Sequence, residues 1–446
     1  MASRIDTAVL PTNPAASRPV PGNASRDAHA ATSLAGFSIL AAQIAGLLLL
    51  IHTYHLETTH FVDMCAIVFG AFFVHYWLPF RFKEAFWVAV SILGSFFLLD
   101  KTVAALVLGT GIAIFLILRT PLTLRWRVVL VSVLFAALLY GCVTRPAGIP
   151  LGFYAVFGGI FMFRVMIYVY DLAHAKEPIS FLSYLSYFFI LPNYYFTLFP
   201  VIDFQTMRST YYRRNIHDIA QQGIHWMVRG AVQLMLYRVV LYFDDPFLPD
   251  RVNSFPKLVT NMVLTFLLYL NVSGKFHLVV GMLHLFGYDL PETNRRYLLS
   301  SSFLDFWRRI NIYWKDFMVK IVYLPVYFKY RKRGDLRAQV LGTAAVFTFT
   351  WAAHSYQSLW IDGKLSITWP DTIFWSALGI LVMANVVFNW WHKQRRVGAS
   401  WRDRGLHAAR VLGTVSVILV LWSLWSSPSV GSWLYLMSRW TQGPIQ

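Results

Sequence analysis

Long apolar runs, broken by short clusters of arginine, lysine and proline, set the pattern of this chain. A helix needs about 20 predominantly apolar residues to cross a bilayer, and no open backbone survives in hydrocarbon, so the pattern predicts membrane helices. Six spans come first: Ser33–Thr53, Phe61–Leu78, Ala85–Leu99, Thr102–Leu118, Val128–Val143 and Leu151–Leu172. Phe181–Phe204 is apolar but interrupted by Pro192 and Pro200, the pattern of a broken or re-entrant segment. RSTYYRRNIHDIAQQGIHW then reads as a basic interfacial helix, followed by a span over His225–Phe243 with Arg229 and Arg238 snorkelling. Leu258–Val272 returns, Gly274–Leu290 is a short re-entrant candidate, and Val340–His354, Thr372–Trp391 and Ala408–Ser426 complete the set. The fold class expected is all-α and polytopic transmembrane, with about ten or eleven spans plus re-entrant and interfacial pieces. No internal repeat or second soluble domain is visible, so residues 31–446 read as one membrane-embedded domain.

Charge gives the orientation. Thirty-nine Lys and Arg against 21 Asp and Glu leave a net +18, in a chain that is 57% hydrophobic and only 13% charged. The cations sit between apolar runs, where they set topology and meet anionic headgroups; no separate basic domain points to nucleic acid. With the N-terminus cytoplasmic, the inner loops hold Arg4, Arg18, Arg26, Arg81, Lys83, Arg119, Arg125, Arg127 and Lys176, and the outer loops only Lys101 and Arg145. Residues 1–30, rich in Ala, Pro and Ser, read as a disordered cytoplasmic tail. Cys65 and Cys142 both fall inside spans, consistent with packing and with neither a disulfide framework nor a metal motif.

The chemistry concentrates between Ser300 and Trp360. His354 is a single ionisable side chain in a membrane-grade helix, where a neutral imidazole could accept a proton. The other reading is a histidine hydrogen-bonded to neighbouring backbone or hydroxyl. Asn311 carries an amide that can donate to a carbonyl oxygen. If its tract is one helix, Trp307, Arg308, Asn311, Trp314 and Lys315 share a face that could meet an anionic donor; the alternative is a helix touching lipid headgroups. Arg164 and Asp171, seven apart, could pair or line a cavity. His277 and His284, also seven apart, have no carboxylate or thiol to complete a metal set, so packing is the simpler reading. No metal site is expected, and His75 receives no role.

Three stretches, YLNVSGKFHLVVGMLHLFGYDLPE, SFLDFWRRINIYWKDFM and WAAHSYQSLW, occur in the order and spacing of the membrane-bound O-acyltransferase signature, with 43 residues between Asn311 and His354. The chain resembles that family, above all its bacterial members that acetylate alginate or carry D-alanine to teichoic acid. The resemblance implies a catalytic His354 and a second functional position at Asn311; the substrate contacts expected around them are Trp307, Arg308, Arg309, Trp314, Lys315, Trp351 and Ser355. It also implies no tightly bound cofactor, a cytoplasmic thioester donor (acyl-coenzyme A or an acyl-carrier protein), and a bacterial inner-membrane location. Many bacterial members carry histidine where Asn311 stands, whereas lipid- and sterol-acylating relatives carry asparagine. Ile310 and Ser355 replace a usual tryptophan and glycine. The acceptor is therefore an exported glycan by closest resemblance, or a lipid or small-molecule hydroxyl by Asn311. A transporter or flippase without covalent chemistry is the rival from another class.

Overall fold

Some of the apolar runs open as helices with a side chain that satisfies the first turn. Ser33 Oγ accepts from the Gly36 amide at 3.1 Å at the start of Leu34–Thr53. Asp100 Oδ1 likewise accepts from Thr102 and Val103 at 2.9 and 3.2 Å, opening Lys101–Arg119. These caps supply partners for amides that no carbonyl of the helix can reach. The computed structural model describes residues 23–174, 179–192, 201–244, 248–392, 400–439 and 441. Among them every regular element is helical, and β pairing is limited to one isolated bridge between Tyr211 and Tyr288.

Eight helices of the described residues are long and apolar enough to cross a bilayer. Phe80–Leu98, Ile216–Asp244 and Asp335–Asp362 add 19, 29 and 28 residues of helix, long enough but more polar. The chain is thus an all-α polytopic membrane protein. Lys176, residues 193–200 of the proline-interrupted segment, and parts of the loops after Asp244 and His392 lie outside the described residues.

Several elements differ from expectation. Asn23–His29, read as tail, is a short helix whose buried Arg26 donates to the Arg208 carbonyl at 2.9 Å. Most of the basic interfacial stretch joins the following span in the single helix Ile216–Asp244. Leu258–Val272 and Gly274–Leu290 are not a span and a re-entrant piece but one 31-residue run, Phe255–Leu285, turning slightly at Leu268. Arg164 and Asp171 do not pair. Seven helical residues set them about 10 Å apart along the axis, and each finds a partner at its own level. Arg164 donates to the Tyr187 carbonyl and lies 4.2 Å from that ring's centre. Asp171 takes Lys320 at 2.5 Å, and Lys320 also approaches Asp203 at 3.4 Å.

One helix crossing is closer than ordinary side chains permit. Gly223 and Gly230 of Ile216–Asp244 oppose Gly281 and Gly274 of Phe255–Leu285. A Cβ at Gly230 would lie 2.6 Å from the Gly274 carbonyl oxygen, and one at Gly281 would lie 2.6 Å from that of Gly223. The seven-residue spacing on both helices keeps the small positions on the shared seam, so the backbones touch in an antiparallel pair.

Candidate functional site

The tract from Ser300 to Tyr330 is not one helix. Phe303–Arg309 stops, Ile310 is extended, and Asn311 takes a left-handed conformation (φ 42°, ψ 61°) before Ile312–Met318 begins. Asparagine tolerates that region better than most residues. Its side-chain oxygen caps the new helix by accepting from the Trp314 amide at 3.3 Å. The Asn311 backbone N–H donates to Oδ1 of Asn294 at 2.8 Å, and the Ile312 N–H donates to the Thr293 carbonyl at 2.9 Å. Asn294 is fully buried; its Oδ1 also accepts from the Tyr269 hydroxyl at 3.1 Å. A preceding loop therefore holds the break from behind.

Opposite lies Asp335–Asp362, which carries His354. Trp314 bridges the two elements, its indole N–H reaching Thr350 Oγ1, one turn before His354, at 3.3 Å. Asn311 and His354 consequently open onto one cavity of about 640 Å³, whose wall also includes Trp307, Trp314, Trp375 and Trp425. The Asn311 amide nitrogen has no hydrogen-bond partner among the described residues and is not sealed from the cavity.

Neither ring nitrogen of His354 bonds to a described residue, and neither is closed off. His277 and His284 are built differently. Each is fully buried and sets Nδ1 2.8 Å from the carbonyl four residues earlier, at Ser273 and Val280. The backbone-bonded reading considered for His354 describes those two residues and not His354. The imidazole is held by aromatic packing: its centre is 4.8 Å from the Trp375 ring and 5.4 Å from the Trp425 ring.

The other expected site residues divide. Trp307 and Trp314 line the cavity beside Asn311. Arg308, Arg309, Lys315, Trp351 and Ser355 do not; for the three cations, the break at Asn311 ends the continuous face that would have gathered them. Arg309 folds back onto Asp305 at 2.8 Å, and Arg308 is half-buried near the same carboxylate. Lys315 is buried and paired with Asp316 at 2.6 Å. Trp351 donates to Thr372 Oγ1 at 3.1 Å, tying its helix to Trp369–Trp391, and the buried Ser355 lies one position round the helix from the cavity face.

Sequence reasoning missed four contributors, one of them Trp375, which packs on His354. Asn294 shapes the break from 17 residues upstream. Trp425 belongs to Trp401–Trp425, and Asp371 to the first turn of Trp369–Trp391, both beyond the signature stretch. Asp371 Oδ1 accepts from the indole N–H of Trp375 at 3.1 Å and of Trp425 at 2.8 Å. The one available signal was a carboxylate in a Trp-Pro-Asp start to an apolar helix, which reads as an ordinary helix boundary. Among the described residues, no group of three or more His, Cys, Asp or Glu could hold a metal ion. No protein-family model matches the chain, and no curated protein matches its sequence.

Proposed function

We propose that this protein is a membrane-embedded O-acyltransferase of the membrane-bound O-acyltransferase type. It moves an acyl group from a cytoplasmic thioester, acyl-coenzyme A or an acyl-carrier protein, to a hydroxyl acceptor. The observation that carries the reading is the meeting of Asn311 and His354, far apart in sequence, on the wall of one cavity, each with a side-chain nitrogen that has no hydrogen-bond partner among the described residues. In this mechanism an unpaired His354 nitrogen takes the acceptor's hydroxyl proton as the oxygen attacks the thioester carbonyl. The Asn311 amide donates to the oxygen that gains negative charge. The C–S bond then breaks, and the imidazolium returns its proton to the departing thiolate. Ester and free thiol are the products.

The acceptor in this reading is an exported glycan or cell-envelope polymer, with the N-terminus cytoplasmic in a bacterial inner membrane. A lipid hydroxyl is the second reading, favoured by the aromatic wall around Asn311. Mass spectrometry of glycans and lipids from cells carrying the wild type or His354→Ala tests both. An acyl ester present in the first and absent in the second, with both proteins equally folded, supports the proposal and identifies the acceptor. Ester formation that persists in His354→Ala refutes it.

A further inference from the structure

Most histidines that carry protons are aimed by a hydrogen bond to the nitrogen that does not react, which fixes ring direction and tautomer. His354 has no such bond among the described residues. Its orientation depends on two indoles instead: Trp375 is tilted 35° to the imidazole and Trp425 stands at 81° to it. Two rings meeting a third at different angles leave it little freedom to turn. The indoles come from separate helices, so something must hold them in register.

That group is Asp371. One carboxylate oxygen receives both indole N–H groups, Trp375 from the next turn of its own helix and Trp425 from the following one. Hydrogen bonds to an ionised acceptor are stronger than neutral ones, and two converging on one atom fix a distance between helices. The clamp has a firm back: Phe374 stacks on Trp425 at 4.6 Å and 10°. Thr368 Oγ1 caps the Asp371 amide at 3.3 Å, anchoring the carboxylate's own backbone.

We infer that Asp371 is the positioning residue of the site, setting the direction of the His354 imidazole through the two indoles it grips. The inference rests on the proposal that His354 is the base. Asp371 touches neither substrate nor the reacting atoms in this scheme. Its effect is on the catalytic step and not on donor binding.

The test uses full-length protein in detergent, with thiol release from acetyl-coenzyme A as the probe reaction. Asp371→Leu removes both acceptor bonds and lowers kcat about 10- to 100-fold, the scale of a displacement near 1 Å at a reacting group, with donor KM within about twofold. Asp371→Asn keeps an oxygen that accepts both N–H groups, and restores kcat to within about threefold of wild type. Trp375→Phe with Trp425→Phe keeps an aromatic ring at each position but removes both donors along with part of each indole; its kcat falls at least as far as that of Asp371→Leu, and adding Asp371→Leu to the pair brings no further loss. The indole N–H resonances of Trp375 and Trp425 in ¹⁵N-tryptophan-labelled protein move upfield in Asp371→Leu and stay in Asp371→Asn. The phenylalanine pair stands in should Asp371→Leu not fold.

Wild-type kcat in Asp371→Leu or in the phenylalanine pair overturns the inference. So does an equal fall in Asp371→Asn and Asp371→Leu, which would assign the effect to charge. His354→Ala separates the two levels. If it releases thiol as fast as wild type, the base assignment fails and takes the inference with it. If it is silent while Asp371→Leu turns over as fast as wild type, only the inference fails.

Discussion

Replacing Asn294 with alanine should disable the site from behind without touching the cavity wall. The side chain is fully buried, and its Oδ1 receives the Asn311 backbone N–H at 2.8 Å and the Tyr269 hydroxyl at 3.1 Å. Its amide nitrogen makes two longer bonds, to Ser273 Oγ at 3.3 Å and Thr293 Oγ1 at 3.4 Å. Alanine removes all four and leaves two donors facing a methyl group. A buried donor without a partner costs about 1–3 kcal/mol, so two amount to about 2–4 kcal/mol once some relaxation is allowed. The left-handed backbone at Asn311 adds a pull towards relaxation, since that conformation costs about 1–2 kcal/mol in a residue with a Cβ. Cys65 and Cys142 are both buried, so a thiol-reactive dye reports unfolding directly. We expect the midpoint in detergent to fall by several degrees and acyl transfer by at least about tenfold, as the Asn311 amide leaves its place. Asn294→Asp keeps both bonds to Oδ1 and should fall between the two. An Asn294→Ala protein with wild-type midpoint and wild-type rate would refute the argument that this loop holds the break in shape.

Two further expectations follow. A leucine at Gly230 or Gly281 cannot be accommodated in a crossing where even a Cβ meets a carbonyl oxygen at 2.6 Å; the helices must separate, costing about 1–3 kcal/mol, and the same dye assay should register it. Asp289, in the loop after Leu285, is pushed up by burial, but hydrogen bonds from Arg214 and Arg213 outweigh this and hold its carboxyl below the usual range. A depressed folded value means stability that is complete above the unfolded value of about 4 and lost as pH falls through the folded one. The midpoint gap between wild type and Asp289→Asn should therefore be constant near neutrality and close below pH of about 4; a gap unchanged at pH 3 would refute the assignment.

His354 was legible because an ionisable group deep in an apolar helix has few reasons to be there. The spans were legible for the same reason in reverse, each apolar run having nowhere to go but hydrocarbon. Asn311 was visible as a motif position, but its geometry was not. FWRRINIYW contains neither glycine nor proline to announce a break, and the break depends on Asn294, whose partnership is tertiary. Once the helix stops there, Lys315 turns to Asp316 and the expected cationic face does not form. Arg309 and Asp305 stand four apart on one helix, so that pairing could have been read from spacing alone. Asp371 was illegible for a different reason: a carboxylate in the first turn of a helix is also what a simple boundary carries.

The indole of Trp425 is supplied by Trp401–Trp425, one of the most C-terminal of the long helices described. During synthesis the motif-bearing segments leave the ribosome well before the helix that completes their enclosure. A nascent chain paused in the preceding loop already owns its imidazole and its asparagine, yet the carboxylate grips one ring instead of two. Enclosure of the pocket is thus completed late, with the insertion of a single helix.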